Sequence, residues 1–114
     1  MAKLPEPPET FKAFIQRFPE LAEAWRMTQD AGTTGPLDER TARLIKLAIA
    51  IGTRQEGSVH SAVRKALAAG VGDKEIDQVI SLAAGTIGFP ATVAVFSWIQ
   101  TEIEKHRSAS SESV

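Results

Sequence analysis

The sequence predicts an all-α protein that forms one domain. Apolar residues recur at intervals of three and four along most of the chain, which is the spacing of one face of a helix. The sequence has no segment in which apolar and polar residues alternate, as they do in a half-buried strand. A length of 114 residues suits one compact domain, and 43% hydrophobic with 24% charged residues is typical of a protein that buries a core.

Three helices are predicted in the first part of the chain. The first follows PPET, and the second begins at Pro19 because proline fits the first turn of a helix. The breaker-rich stretch AGTTGPL precedes the third helix, for which Asp38 is the expected N-cap. The apolar stripes of these helices are Phe11, Phe14, Ile15 and Phe18, then Leu21, Ala24 and Trp25, then Leu44, Leu47, Ala48 and Ile51.

Three further helices complete the predicted fold. The fourth runs from about Glu56 to Ala69, the fifth from near Asp73 to Gly88, and the sixth from about Ala91 to His106. Residues 78–101 carry no charge, a length that could cross a bilayer. Pro90 divides this stretch into pieces of about ten residues, each too short to span a membrane, so two buried helices are predicted instead.

The sixth predicted helix is apolar on two sides. One stripe is Phe96, Ile99 and Ile103, and the other is Ala91, Ala94, Val95 and Trp98. A chain this short has little else with which to cover both stripes, and its many alanines allow helices to approach closely. We therefore expect a homo-oligomer.

Composition argues against several classes of function. The net charge is −1 and the basic residues are scattered, so nucleic acid is not an expected partner. The absence of cysteine excludes disulfides, thiolate ligands and redox chemistry on the protein's own sulfur. MAKLPEPPET lacks the apolar core of a secretion signal, which favours the cytoplasm and no membrane association.

His60 and Glu56 are the candidate catalytic residues. With Glu56 at zero and an advance of about 100° per residue, His60 falls near 40°, beside Leu67 near 20° and Val63 near 340° on the apolar stripe of the fourth helix. Residues four apart on a helix can touch, and a carboxylate beside an imidazole suits general acid and base chemistry. Two ligands are too few for a metal site, and no metal or other cofactor is expected.

The same pair also has a purely structural interpretation, because a glutamate and a histidine four apart are common in helices and Glu56 can act as a cap. The candidate substrate contacts are Arg40, Arg43, Ser58 and Thr86. For the two arginines exposed salt bridges are the alternative, and for Thr86 it is core packing. His106, near a helix end, is expected to be solvated.

Residues 37–99, with KALAAG followed by KEID and later GFPA, resemble the carboxymuconolactone decarboxylase family, which includes alkylhydroperoxidase D. The resemblance implies a small all-helical protein that assembles as a trimer or hexamer. The expected boundaries are an N-terminal extension over 1–7, a family-like helical domain over 8–107 and a disordered tail over 108–114.

The chain departs from the family at the positions that carry chemistry. The peroxidase branch uses a glutamate and then CxxCxxxH, and alignment on KALAAG places these four positions at Arg43, Gln55, Ser58 and Ala62. None of the four residues is retained, so cysteine-based peroxide reduction is not available. The decarboxylase branch has its helix histidine at the position of Ala62, two residues after His60. EGSVHS therefore resembles a cysteine-free subgroup.

Three functional hypotheses follow. The first is a thiol-independent acid/base enzyme that acts on a small organic acid or lactone through Glu56 and His60, with an arginine holding a carboxylate. The second is an inactive family member that binds a small molecule or serves in assembly. The third is a peroxidase that borrows an external thiol, which the absence of cysteine disfavours.

Overall fold

The computed structural model describes residues 8–112, and over this range it contains helices and no strands. These residues form two compact units, one with the first two helices and one with the other four. The all-α prediction is confirmed. The helices are α1 (Glu9–Arg17), α2 (Pro19–Gly32), α3 (Glu39–Thr53), α4 (Glu56–Ala68), α5 (Asp73–Ile87) and α6 (Phe89–Glu112).

In the first unit, a single residue, Phe18, separates α1 from α2. Phe18 has a non-helical backbone with φ −124° and ψ 72°. This is expected before Pro19, because the proline ring disfavours helical geometry in the residue that precedes it. The two helices contact each other through the rings of Phe11 and Trp25, whose centroids lie 6.0 Å apart at an edge-to-face angle of 65°.

In the second unit, α3 and α4 form a helical hairpin. Asp38 caps α3 as predicted, because its carboxylate accepts a hydrogen bond from the backbone N–H of Thr41 at 2.7 Å. The helix ends at Arg54, which has a left-handed backbone with φ 56° and donates its N–H to the carbonyl of Ala50. With only Arg54 and Gln55 between them, α3 and α4 pack as antiparallel neighbours.

Glycine allows the sharp turn that separates α5 from α6. Gly88 has φ 86°, a conformation that residues with a Cβ rarely adopt, and Pro90 follows in the first turn of α6. The predicted break at GFP is therefore confirmed, although α6 begins at Phe89 and not near Ala91. Within residues 8–112, no helix is long and apolar enough to cross a membrane.

The four helices of the second unit are arranged in a ring. α3 packs on α4 and α5, and α6 packs on the same two helices. The α4–α6 and α3–α5 interfaces consequently share no helix. The core between the helices consists of Leu47, Ala50, Ile51, Val59, Val63, Ala66, Val71, Ile76, Val95, Ile99 and Ile103.

α6 has a buried apolar face and an exposed one, but their residues differ from the predicted stripes. Val95 lies in the core with Ile99 and Ile103, whereas Phe96 is 44% exposed, on the side of the exposed Phe89 and Val93. Phe96 and Val95 both lie within about 60° of Ile99 on a helical projection, so spacing alone did not decide which of them faces the core.

The end of α6 was predicted wrongly. The helix continues to Glu112, beyond the predicted end at His106, so the tail expected to be disordered over 108–114 is helical as far as Glu112. SASSE contains no glycine or proline that would stop a helix. The predicted extension over 1–7 and residues 113–114 lie outside the described residues.

Candidate functional site

The candidate site is built around Glu102, a buried carboxylate at the α4–α6 interface. The side chain of Glu102 is only 5% exposed. In the part of the chain that the structure describes, Glu102 is the one buried charged residue. The Oε1 atom lies 2.8 Å from Nδ1 of His60 and 3.2 Å from a guanidinium nitrogen of Arg64. The Lys105 ammonium lies 3.8 Å from the same oxygen. Glu102 therefore has close cationic or donor groups from both helices.

Helical periodicity explains why these groups meet. His60 and Arg64 are four residues apart on α4, so their side chains leave the helix on the same side. Glu102 lies between Ile99 and Ile103 on the buried side of α6, which packs against α4. A carboxylate in this place is stable only when it is paired, because burying an unpaired charge has a high energetic cost.

The predicted pair of Glu56 and His60 is present. The Nε2 atom of His60 lies 3.3 Å from Oε2 of Glu56 in the first turn of α4. The two carboxylates around the imidazole differ in exposure, since the Glu56 side chain is 61% exposed and that of Glu102 is 5% exposed. The His60 side chain, 17% exposed, connects the buried side of this interface to the surface.

The geometry assigns different roles to the two ring nitrogens. An ionised carboxylate can only accept hydrogen bonds, so Nδ1 of His60 donates its proton to Glu102. In the neutral ring this leaves Nε2 as the basic nitrogen. The same rule holds at the other nitrogen: in the doubly protonated ring Nε2 donates to the exposed Glu56 carboxylate at 3.3 Å, and loss of that proton leaves the Nδ1–H ring held by the buried Glu102.

The other predicted substrate contacts do not gather around His60. Arg40 on α3 forms an ion pair with Glu75 on α5. The hydroxyl of Ser58 lies 3.4 Å from the side-chain oxygen of Gln55. Arg43 is half-buried on α3, and His106 is exposed on α6. The substrate-binding roles of these residues remain predictions.

Thr86 lines a different feature, an apolar groove between α3 and α5 with a volume of about 550 Å³. Because the α3–α5 and α4–α6 interfaces share no helix, this groove and the imidazole of His60 belong to separate parts of the bundle. The groove is lined by Thr41, Leu44, Ile45, Ala48, Gly52, Glu75, Gln78, Val79, Leu82, Ala83, Thr86 and Ile87.

Sequence reasoning missed Glu102 and Arg64. The signal for Glu102 was a carboxylate directly before Ile103 and three residues after Ile99, within an otherwise apolar side of the sixth helix. The contact of Glu102 with His60 could not be predicted from the sequence, because His60 lies 42 residues earlier and only the packing of α4 on α6 brings the two together.

Comparison with known protein families identifies the family of this chain. The profile of the carboxymuconolactone decarboxylase family matches residues 19–101, from the start of α2 into the second half of α6. The chain belongs to the carboxymuconolactone decarboxylase family. The match includes Glu56, His60 and Arg64 and ends one residue before Glu102. Comparisons with curated proteins and with solved structures gave no significant match.

Proposed function

We propose that this member of the carboxymuconolactone decarboxylase family is an acid/base enzyme that acts on a small organic acid or lactone, with His60 as the proton-transfer group. The observation that carries the proposal is the 2.8 Å contact between Nδ1 of His60 and the buried carboxylate of Glu102. Such a partner fixes the orientation and tautomer of an imidazole, which leaves the other ring nitrogen for chemistry.

The four acidic and basic side chains of the site have different roles. Nε2 of His60 takes a proton from the substrate, or gives one to it, at the exposed end of the ring. Glu102 is a positioning residue, since it contacts His60 and is too buried to reach solvent. Glu56 exchanges protons between Nε2 and water, for which its 61% exposure suits it. Arg64 offsets the negative charge that Glu102 brings into the interface.

The proposed chemistry does not use a thiol. The chain has no cysteine, so an enzyme built on its own side chains must move protons without a sulfur nucleophile. A peroxidase that uses an external dithiol is the competing outcome within the same family. Peroxide consumption above a protein-free control, with turnover of organic acids and lactones absent, would favour that alternative over ours.

The test compares two histidine variants on a panel of small lactones and organic acids. His60→Gln should lower kcat/KM for any turned-over compound by about 10²–10⁴-fold, the usual contribution of a general acid or base. His106→Gln is the matched control, because it removes an exposed histidine from the same fold. Equal activity of the two variants would refute the assignment, provided that circular dichroism shows both to be folded.

Glu102→Gln separates positioning from proton exchange. We expect it to lower kcat more than Glu56→Gln does, because bulk water can replace an exposed carboxylate and cannot replace a buried one. Addition of a small buffer acid should restore part of the activity of Glu56→Gln and none of that of Glu102→Gln. A larger loss in Glu56→Gln would contradict the division of roles.

A second candidate function is binding without turnover, and the α3–α5 groove favours it. Its volume of about 550 Å³ lies within the usual range of small-molecule sites, and most of its lining is aliphatic. Ala48→Leu would fill the groove. The binding function predicts that a compound binds to the wild type and to His60→Gln without being turned over by either. It also predicts that Ala48→Leu no longer binds this compound.

We also propose that the chain forms a homo-oligomer, a trimer or hexamer, through the apolar face of α6 that the monomer leaves exposed. Phe89 is 76% and Val93 is 65% exposed, and exposed apolar side chains of this size favour association. Analytical ultracentrifugation should show Val93→Asp as a smaller species than the wild type, whereas Lys74→Asp on α5 should leave the mass unchanged. A monomeric wild type would refute this proposal.

A further inference from the structure

Glu102 engages only part of the Arg64 guanidinium. The Nη1 atom of Arg64 donates to Oε1 of Glu102 at 3.2 Å. Within residues 8–112, the Nε and Nη2 atoms of Arg64 donate to no protein group. The Arg64 side chain is 28% exposed, so water or a ligand can reach it. Because a guanidinium carries several N–H donors in one plane, Arg64 can hold Glu102 and a second acceptor at the same time.

The free part of this guanidinium is close to the proton-transfer group. Nη1 of Arg64 and Nδ1 of His60 lie 3.2 Å and 2.8 Å from the same oxygen, Oε1 of Glu102. The two nitrogens are therefore at most about 6 Å apart, which agrees with the spacing of side chains four residues apart on one helix. A small molecule that contacts the imidazole of His60 can consequently reach Arg64 with a group only a few bonds away.

The charges around Glu102 leave a positive excess. Arg64 and Lys105, whose ammonium lies 3.8 Å from Oε1, are two cations beside one buried carboxylate. The other carboxylate of the site, Glu56, contacts Nε2 of His60 instead. Glu56 lies eight residues before Arg64, or about 12 Å along the axis of α4, so it does not compete for the guanidinium. An anionic group bound to Arg64 would balance the excess charge.

We propose that Arg64 is a specificity-determining residue of the acid/base site, which binds a carboxylate of the substrate while Nη1 continues to hold Glu102. This inference rests on the proposed function and narrows it. The preferred substrates are anions whose carboxylate lies a few bonds from the atom that exchanges its proton with Nε2 of His60. A neutral compound of the same shape lacks the charge-assisted hydrogen bonds to Arg64, so the site discriminates against it.

The test uses two probes that differ only in charge. Sodium 4-oxopentanoate is a keto acid with exchangeable carbon-bound protons, and 4-oxopentanamide is its neutral amide. Binding of each to the isotope-labelled full chain is followed by the shifts of the backbone amide resonances. We expect the wild type to bind the keto acid at least about tenfold more tightly than the amide, because a charge-assisted hydrogen bond is stronger than a neutral one.

Two variants of Arg64 and one matched control separate recognition from packing. Arg64→Gln should bind the keto acid and the amide about equally, and Arg64→Lys should keep part of the preference, because it retains the charge and loses the planar donors. Lys105→Gln removes the other cation beside Oε1 from a position that is 67% exposed, so it should change the preference by no more than about twofold. A purely structural Arg64 would weaken the binding of both probes to the same extent.

The inference is overturned if the wild type binds the two probes equally or binds neither. It is also overturned if Arg64→Gln retains the preference, or if Lys105→Gln loses as much of it as Arg64→Gln does. If circular dichroism shows that Arg64→Gln does not fold, Arg64→Lys decides, and a preference equal to that of the wild type refutes the assignment.

Failure of the proposed function would give a different result. Exchange of the carbon-bound protons of 4-oxopentanoate for deuterium in heavy water reports proton transfer, whereas the binding preference reports Arg64. Equal exchange rates in the wild type and His60→Gln, with the preference for the keto acid intact in both, would refute the role of His60 and support that of Arg64. Slower exchange in His60→Gln, with an unchanged preference in Arg64→Gln, would refute the role of Arg64 alone.

Discussion

Replacing Glu102 by glutamine tests whether the buried carboxylate holds the α4–α6 interface together. The substitution keeps the shape of the side chain and removes its charge, so the two contacts of 2.8 Å with His60 and 3.2 Å with Arg64 lose their charge-assisted character. A hydrogen bond to a charged group contributes about 1.5–3 kcal/mol. Because Arg64 is 28% exposed and can regain water, we expect the total loss of unfolding free energy to be about 2 kcal/mol.

The assay is urea unfolding followed by far-UV circular dichroism at pH 7, with thermal unfolding as a second measurement. A loss of that size should lower Tm by about 8–16 °C for a unit of this length, with an unchanged m-value. Glu104→Gln, an exposed glutamate two residues along α6, is the control and should change stability by no more than about 0.5 kcal/mol. Equal stability of the two variants would refute the reasoning, since it would mean that Glu102 is not paired.

Three further predictions concern the bundle around the site. Ile99→Ala should cost about 2–5 kcal/mol of unfolding free energy, because Ile99 is fully buried; a cost below 1 kcal/mol in urea unfolding would contradict the position of the core. Asp38→Ala should lower Tm and Asp38→Asn should change it less, because asparagine also accepts the hydrogen bond from the backbone of Thr41; equal losses would exclude capping as the cause. Burial lowers the pKa of Lys65 in the folded protein, so between that pKa and the ordinary lysine value the unfolded chain binds more protons than the folded one. In that alkaline range the stability of the wild type should rise with pH relative to that of Lys65→Gln. A stability difference between the two proteins that stays constant with pH would contradict the shift.

The sequence predicts most of this fold because the helix boundaries are set by local chemistry. Asp38 caps α3 through a residue three positions away, Pro19 opens α2, and Gly88 supplies the positive φ between α5 and α6. The end of α6 is different. SASSE has neither a stop signal nor a strong helix preference, so local propensity does not fix where the helix ends.

The candidate site was half predictable for the same reason. Glu56 and His60 are four residues apart on one helix, and such a contact follows from periodicity. The contact between His60 and Glu102 joins two helices, and it depends on which side of α6 faces α4. The orientation of α6 depends on the packing of the whole core, in which Val95, Ile99 and Ile103 are buried together while Phe96 is exposed.

The central claim is that Glu102 holds Nδ1 of His60 and leaves Nε2 for proton transfer. Nitrogen NMR of the imidazole, at a pH where the ring is neutral, tests this most directly. The account predicts the Nδ1–H tautomer in the wild type and in Glu104→Gln, and loss of that preference in Glu102→Gln. An Nε2–H tautomer in the wild type, or a tautomer that does not respond to Glu102→Gln, would contradict it.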